Sequence, residues 1–478
     1  MNYFILLLVS ACLSACSLTP TYHRPTIAQP SHYKETGKWL RAKPKSAALG
    51  QGEWWQEYHD PILNALEARI NCNNQTLKAA LARFDEARAA LKVAKAAYFP
   101  TITGVANVNR QQSSNAAANP PNRKLFSDYL VGVDLNYEVD LWGKIRNAVA
   151  SARYQANASA ADVAFVSLNL HAELAKDYFA LRGADDVTRV LDETVVAYQR
   201  ALSLTTYRFQ GGASPALDVD EAKNQLETAK TAAADIRLQR AQLEHAIAIL
   251  LGVPPADFTI KPKHTKPHFV VVTPHLPSTL LERRPDIAEA EYLVQAANAR
   301  IGVARAAFFP DLNLAAAAGF DSGTLRNLLR SSSFVWSLGP TAATALLNNG
   351  SMPELTQIIF DGGRISGLTD EAWAVYCETV ANYRQTVLTA YQEVEDNLAA
   401  IRQLDREYHT QSAATLAADK ALAQAMYRYK GGLTTYLDVV VIQNIALQAE
   451  ESDINIRTRR QLASVQLIRA LGGGWMRC

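Results

Sequence analysis

The sequence predicts a mixed α + β fold in which one unit occurs twice, each copy combining long coiled-coil helices with two membrane-spanning β-strands. Three observations predict this fold. The stretch YRFQGGASPALDV from Tyr207 returns as YRYKGGLTTYLDV from Tyr427, 220 residues later. Long alanine-rich stretches repeat apolar residues with the helical period of 3.6. The stretch Tyr129–Leu141 alternates apolar and polar residues strictly, as a strand with two different faces does.

The composition excludes several classes of protein. Of 478 residues, 49% are hydrophobic and 20% charged, which is not the composition of a disordered chain. The net charge of +2 gives no reason to expect a nucleic-acid partner. The nine histidines are scattered, with neither a catalytic triad nor metal-ligand spacing. We therefore predict no enzyme activity, no metal and no cofactor.

The amino-terminal residues read as a targeting segment. YFILLLVSACLSACS is an apolar run followed by small residues, too short to span a membrane as a helix. LSAC, ending at Cys16, resembles the lipobox of bacterial lipoproteins, which predicts a signal peptide over 1–15 and lipidation of Cys16. VSAC, ending at Cys12, is a rival box, and an ordinary signal peptide with an incidental cysteine is the alternative.

Offsets between similar motifs define the two copies. AAYFP ends at Pro100 and AAFFP at Pro310, an offset of 210, whereas later motifs are offset by 220. The second copy thus has about ten extra residues before Gly362, and the segment Ala343–Gln357 has no predicted place. After the signal peptide, the sequence predicts an extended segment over 16–60 and a first copy over 61–252. A proline-rich linker over 253–284 leads to a second copy over 285–472 and a tail over 473–478.

The sequence of each copy predicts one very long helix with shorter helices beside it. Lys144–Phe209 is predicted to be one helix, because apolar residues from Val163 to Leu181 keep the helical period, and a helix of this length would be roughly 100 Å long. The stretches Pro61–Ala97 and Ala213–Gly252 together match that length, which predicts two short helices stacked end to end along the long one. The Gly-Gly pairs at 211–212 and 431–432 would reverse the chain, because the turn needs a left-handed residue.

Alternation predicts strands of membrane length. The polar residues of Tyr129–Leu141 that would share one face include Asp134, Asn136, Glu138 and Asp140. Outer-membrane β-barrels alternate in this way, and a half-buried sheet in a soluble domain is the alternative. Hairpins are predicted over 100–141 and about 310–347. Four strands cannot close a barrel, so the chain is expected to oligomerise, and three copies would give twelve strands.

Several motifs in a fixed order carry a family resemblance. The lipobox, WWQEYHDPILNAL, RRPDIAEAE, AAFFPDLNL, FDGGR, the paired glycine turns and RALGGGW together resemble the outer-membrane factor family of TolC-like efflux channels, lipoprotein type. The resemblance implies a homotrimer with a twelve-stranded β-barrel in the outer membrane of a Gram-negative bacterium and a helical tunnel in the periplasm. It also implies a periplasmic adaptor protein, an inner-membrane pump of the RND type and contact with outer-membrane lipid.

The resemblance also assigns roles to individual residues. A periplasmic gate would lie at Leu437 and Asp438, with Asp218 as the equivalent of Asp438 in the first copy. A helix cap is the alternative role for both aspartates, and Val441 stands where some relatives carry a second acidic residue. Asp134, Asn136, Glu138 and Asp140 would line the lumen. The predicted adaptor-docking tips are Tyr207, Arg208, Gly211, Gly212, Tyr427, Arg428, Gly431 and Gly432, with turn geometry and a solvated arginine as the alternative.

Three functions are compatible with these patterns. The first is the exit duct of an efflux system for drugs or other small toxic compounds. The second is a duct for protein or peptide secretion on the same fold. The third is a structural coiled-coil lipoprotein of the periplasm, against which the strict alternation of Tyr129–Leu141 argues.

Overall fold

The structure is a computed structural model, and it describes residues 18–28, 30–36, 53–112, 125–264, 269–270, 283–340 and 360–473. The lipobox with Cys16 and the segment Ala343–Gln357 lie outside the described residues. The chain divides into two compact units. The first unit comprises residues 1–25, 84–159 and 290–383, and the second comprises 26–83, 160–289 and 384–478.

Equivalent helices of the two copies have equal lengths. The first copy consists of α1 (Pro61–Asn73), α2 (Gln75–Ala96), β1 (Thr101–Gln112), β2 (Leu125–Val139), α3 (Lys144–Gln210) and α4 (Ala216–Leu250). The second copy consists of α5 (Pro285–Ala306), β3 (Leu312–Ser322), β4 (Phe334–Pro340), α6 (Arg364–Lys430) and α7 (Tyr436–Ala470). Helices α2 and α5 have 22 residues each, α3 and α6 have 67, and α4 and α7 have 35. The predicted duplication is confirmed.

The long helix of the first copy is a single helix, as its period predicts. Helix α3 begins after Gly143, and the carboxylate of Asp140 accepts hydrogen bonds from the amides of Ile145 and Arg146 at its first turn. Leu174, Tyr178 and Leu181 form part of its fully buried stripe. Burial of this stripe, rather than helix propensity alone, holds a helix of this length in place.

The stretch Pro61–Ala97, expected as one helix, is two helices. Asn74 interrupts it with an extended ψ of 124°. Its side-chain oxygen accepts a hydrogen bond from the amide of Leu77, 2.8 Å away, and so caps α2. Its amide nitrogen donates to the carbonyl of Leu250 at 2.7 Å, at the end of α4. The expectation of a single helix was wrong. In the sequence, Asn74 cannot be distinguished from a residue inside a helix, because its capping role depends on a hydrogen bond that only the structure shows.

Short helices do meet end to end, once in each copy. A Cβ at Gly252, just after α4, would lie 2.3 Å from the backbone oxygen of Asn73, just before α2. A Cβ at Gly472, just after α7, would lie 2.3 Å from that of Arg283, before α5. Both glycines have a positive φ, so the helix end requires glycine for conformation and for close approach. The predicted end-to-end stacking is confirmed.

The described strands form an antiparallel sheet in the order β1-β2-β3-β4. One face is apolar and open, and the side chains of Trp336 and Leu338 on it are 69% and 76% exposed. Asp134, Asn136 and Glu138 project from the opposite face of β2, as alternation requires. Strand β2 ends at Val139, so Asp140 is not a strand residue.

Within the described part of the chain, no helix combines the length and the apolarity that a bilayer crossing requires.

A polar pair is buried in the second unit beneath an aromatic ring. Glu67 of α1 and His171 of α3 lie 2.7 Å apart between Oε2 and Nδ1, and Trp55 stacks on the imidazole at 4.4 Å. Burial raises the pKa of Glu67 well above its usual value. Burial also lowers the pKa of His171 to about 4. Burial thus favours the uncharged form of both groups.

Candidate functional site: the helical tips and the polar face of the sheet

The turn between α3 and α4 closes a helical hairpin. The amide of Ala213 donates to the carbonyl of Arg208 at 2.7 Å, and the amide of Gly212 donates to that of Phe209 at 2.9 Å. Gly212 has a φ of 73°, which a residue with a Cβ adopts only at a cost. This hydrogen-bond pair is the Schellman motif that ends many helices.

The second copy repeats this turn between α6 and α7. Gly432 also has a φ of 73°, and the amide of Leu433 donates to the carbonyl of Arg428 at 2.9 Å. The predicted reversals at both Gly-Gly pairs are confirmed. Tyr207 and Tyr427, one turn before the glycines, are 72% and 84% exposed. Both tyrosines are therefore accessible to a partner, and their role in docking an adaptor stays a prediction.

The two tip arginines differ in their surroundings. The guanidinium of Arg208 lies 4.7 Å from the centre of the Tyr429 ring and donates to the carbonyl of Tyr429 at 3.1 Å. Arg428 is exposed. Tyr429 is only 3% exposed, whereas its equivalent Phe209 is 46% exposed. Arg208 thus joins the two hairpins of one chain, a role that neither YRFQGG nor YRYKGG indicates by itself.

Asp438 belongs to the capping box of α7 and is exposed. The N-cap is Thr435, whose hydroxyl accepts a hydrogen bond from the amide of Asp438 at 3.4 Å. In return, the carboxylate of Asp438 accepts from the amide of Thr435 at 3.2 Å, and both Thr434 and Thr435 donate their hydroxyls to it. These hydrogen bonds, that of Thr434 foremost, lower the pKa of Asp438. The carboxylate caps the helix from its first turn and still presents charge to solvent, although it is not the N-cap residue itself.

Asp218 does not cap α4, and the alternative of a cap was wrong for it. Pro215 is the N-cap residue there, with no side-chain capping hydrogen bond. Proline has neither the hydroxyl that Thr435 offers nor an amide N–H that a carboxylate could accept from. The first copy therefore cannot form the reciprocal pair that the second copy forms.

An exposed apolar stripe extends from Leu437 along α7. Leu437, Val441 and Ile445 are 54%, 51% and 53% exposed and lie one helical turn apart. The sequence analysis assigned only Leu437 to the gate as an apolar residue, although the spacing of four was the signal for Val441 and Ile445. The first copy has Leu217, 63% exposed, but Glu221 and Gln225 follow it. The stripe is thus a property of the second hairpin.

The charged residues at the end of β2 are tied to the start of α3. Glu138 lies 2.9 Å from the ammonium of Lys144, which also contacts Asp311 at 3.1 Å. Asp140 pairs with the side chain of Arg146 at 3.1 Å in addition to capping α3. Asp134 and Asn136 lie within β2, opposite Ala317 and Ala315 of β3. A lumen lined by these four residues stays a prediction.

Metal ligands do not cluster in the part of the chain that the structure describes: no group of three His, Cys, Asp or Glu side chains there could hold a metal ion.

Comparisons with known proteins agree with one another. The family model described as outer membrane efflux protein matches residues 68–253 and 276–473. Outer membrane protein OprJ of Pseudomonas aeruginosa is 34% identical over 472 residues, covering 98% of this chain and 95% of OprJ. The toluene efflux pump outer membrane protein TtgC of Pseudomonas putida is 29% identical over 465 residues, covering 97% of this chain and 93% of TtgC.

Solved structures show the same fold. The Campylobacter jejuni CmeC outer membrane channel superposes with a TM-score of 0.88 at 25% identity, covering 96% of each chain. The outer-membrane channel OprN superposes with a TM-score of 0.86 at 27% identity, covering 96% of this chain and 100% of OprN. The likeness extends over nearly the whole of each protein.

Proposed function

This chain belongs to the outer membrane efflux protein family, and from that premise we propose that it is the passive exit duct of a tripartite efflux system. It resides in the outer membrane of a Gram-negative bacterium and passes small toxic compounds to the exterior. The observation that carries this function is the match of one efflux family to both copies of the chain, together with relatives of nearly equal length that are named efflux outer membrane proteins.

The working assembly that we propose is a homotrimer. The four strands of one chain have an open apolar face suited to lipid, and a spanning sheet must close to satisfy its edge strands. Three chains supply twelve strands. Cys16 carries the lipid anchor, and the exposed tips around Tyr207 and Tyr427 dock a periplasmic adaptor, which links the duct to a pump of the RND type.

Transport through such a duct requires a gate but no chemistry. Leu437, with Val441 and Ile445 behind it, supplies an apolar constriction at the second hairpin. Three copies of Asp438 add an anionic ring whose charge persists because its hydrogen bonds lower its pKa. Relatives are named for toluene, solvent and antibiotic efflux, which makes small, largely apolar compounds the substrates expected here.

The two other functions are less well supported. A secretion duct would share the fold, but the named relatives belong to efflux pumps. A structural lipoprotein of the periplasm would not need a sheet with an exposed apolar face around Trp336 and Leu338.

Deleting the gene tests the proposed function. We expect the deletion strain to accumulate a fluorescent apolar dye and to become more susceptible to antibiotics, with both effects reversed by the wild-type gene. A Cys16→Ser variant should lose metabolic labelling by palmitate. Unchanged susceptibility with loss of a secreted protein would overturn efflux in favour of secretion.

A further inference from the structure

The carboxylates of the described strands all lie on the polar face of the sheet. Alternation along β2 puts Asp128 on the same face as Asp134 and Glu138. Asp321 of β3 is paired with Leu130, which shares that face of β2, so Asp321 lies there as well. The polar face therefore carries the negative charge of the sheet.

A strand arginine lies on the opposite, apolar face. Arg110 of β1 is paired with Ser127, which alternation puts on the same face of β2 as Tyr129 and Val131. Its side chain is exposed, and that of Val108, two residues before it on this face, is 75% exposed. On the lipid face of a spanning sheet, a charge costs little only near the edge of the apolar band. Arg110 thus marks one boundary of the bilayer.

The boundary at Arg110 is the exterior one. Strand β1 follows α2 and β2 leads into α3, so the helices, which extend into the periplasm, lie at the other end of the sheet. Arg110 comes nine residues after Thr101, the first residue of β1, which gives roughly 20 Å of height for a strand tilted by about 45°. The apolar band of such sheets is about 25 Å tall.

The loop from β3 to β4 begins at the height of Arg110. A Cβ at Gly323 would lie 3.6 Å from the backbone oxygen of Ser127, the partner of Arg110. The amide of Asn327 donates to the carbonyl of Thr324 at 3.1 Å, and the hydroxyl of Ser333 donates to the carbonyl of Asn327 at 2.8 Å. These hydrogen bonds fold the loop on itself, so its longer side chains project outward.

The projecting side chains are apolar and cationic. Leu325 and Leu329 are 66% and 75% exposed, and the exposed Arg326 and Arg330 follow them directly. Phe334, where β4 begins, is 51% exposed on the apolar face. The segment 323–333 contains no acidic residue. The exterior end of the lipid face therefore combines apolar and positive groups, while the strand carboxylates lie on the other face.

A phosphorylated lipid is the partner that this combination fits. Arginine binds phosphate with two parallel hydrogen bonds, and basic clusters beside a bilayer bind anionic headgroups. Exposed leucines at the same height need acyl chains rather than water. The outer leaflet of the outer membrane consists mainly of lipopolysaccharide, whose lipid A part carries phosphates on its sugars and acyl chains beneath them.

We propose that Arg110, Arg326 and Arg330 bind the phosphates of lipid A molecules in the outer leaflet, with Leu325 and Leu329 against the acyl chains. The site fastens the exterior end of the sheet to the surrounding glycolipid. It rests on the membrane-spanning sheet of the proposed function, and not on what the duct transports.

Native mass spectrometry of the detergent-solubilised trimer tests this site, with purified lipid A as the probe. The wild type should retain lipid A. The variant with Arg110→Gln, Arg326→Gln and Arg330→Gln should bind it about 10-fold more weakly, because three charge-assisted contacts are lost. Lipid A stripped of its phosphates should bind the wild type as weakly as intact lipid A binds the variant.

A variant with Lys92→Gln, Arg153→Gln and Arg300→Gln is the matched control. It removes the same charge from exposed positions on α2, α3 and α5, away from the sheet, and should bind lipid A as the wild type does. Equal weakening in both triple variants would contradict a local site. Equal affinity of the wild type for phosphatidylglycerol would overturn the glycolipid in favour of any anionic lipid.

The leucines and the arginines should differ in their response to salt. Raising the salt concentration should weaken lipid A binding by the wild type more than by the glutamine variant, because salt screens exposed charges. Leu325→Ser with Leu329→Ser should weaken binding and keep the salt dependence of the wild type. A glutamine variant that conducts ions as a trimer and still binds lipid A as tightly as the wild type would overturn the site and leave the exit duct standing.

Discussion

The guanidinium of Arg208 lies 4.7 Å from the centre of the Tyr429 ring, although the two residues are 221 positions apart in the chain. Arg208 lies in the last turn of α3, the long helix of the first copy, and Tyr429 lies in the last turn of α6, that of the second. The equivalent pair, Arg428 and Phe209, consists of two exposed residues. Of these two equivalent pairs, the described part of the chain thus brings Arg208 and Tyr429 into contact and leaves Arg428 and Phe209 exposed.

Removing this contact should loosen the tip of the second hairpin. Arg208→Ala loses a cation–π interaction and a charged hydrogen bond, together about 1–2 kcal/mol. Hydrogen exchange of the amides after Tyr436 should accelerate roughly 5- to 30-fold. Arg428→Ala, an exposed equivalent in the same motif, is the control and should change little. Equal effects of the two substitutions would refute the contact.

The left-handed residue of the second turn should tolerate only glycine. Gly432→Ala places a Cβ at a φ of 73°, which costs about 1–2 kcal/mol, although no described atom lies within 4 Å of that Cβ. Gly431→Ala is the control, because Gly431 has no positive φ and its Cβ would make ordinary contacts. Local stability from hydrogen exchange at the tip should fall for the first variant only, and a fall in both would contradict the turn.

The apolar stripe should restrict the closed duct. Leu437→Ser removes the first member of the stripe, and we expect a larger leak of ions through the purified channel in planar bilayers. Leu217→Ser changes the equivalent exposed leucine in the first copy, which no apolar stripe follows. It should leave the current unchanged. The gate would have to be placed elsewhere if both variants leak alike.

Asp438 should give the channel a preference for cations. Asp438→Asn removes the anionic ring, so the permeability ratio of potassium to chloride should fall toward one, most clearly at low salt, where charges are least screened. Asp235→Asn, at an exposed carboxylate in the middle of α4 and away from the tip, is the control and should keep the ratio. An unchanged ratio in Asp438→Asn would restrict this carboxylate to its role in the capping box.

The buried pair of Glu67 and His171 should make stability depend on pH. Burial raises the pKa of Glu67 in the folded protein above the unfolded value of ~4.3, so this group makes the folded state less stable as pH rises. His171 acts in the opposite direction, because the unfolded chain protonates it below pH ~6.5 and the folded protein does so only near pH 4. Between these values the two effects oppose each other.

Glu67→Gln removes only the carboxylic acid of this pair. The free energy of unfolding of the variant minus that of the wild type should increase from pH 5 to pH 8, by at most about 1.4 kcal/mol per pH unit. The melting temperatures measured across this range should change in the same direction. Glu173→Gln, at a partly exposed carboxylate paired with Lys176, is the control. A constant difference across this range would show that Glu67 is ionised in the folded protein.

The larger features of the fold were accessible from sequence because they are periodic or repeated. Apolar residues recur with the helical period in α3 from Val163 to Leu181, the alternation of β2 fixes its two faces, and the Gly-Gly pairs identify the turns. Each of these signals is local, so a single chain reveals it without knowledge of its neighbours.

The details that sequence missed depend on contacts between distant residues. From sequence, Asn74 is predicted to be helical. In the structure its side chain accepts a hydrogen bond from the amide of Leu77 and donates one to the carbonyl of Leu250, and the helix is interrupted there. The contact of Arg208 with Tyr429 depends on how two hairpins pack, which no spacing encodes. Asp438 was placed at the right helix end, but the hydroxyl of Thr435 decides which residue is the N-cap.

Conductance in planar lipid bilayers tests the central claim most directly. Purified mature protein, confirmed as a trimer by native mass, should insert and give discrete steps of ion current that favour cations and grow on Leu437→Ser. A protein that stays monomeric in water without detergent and never raises the conductance of the bilayer would contradict the account.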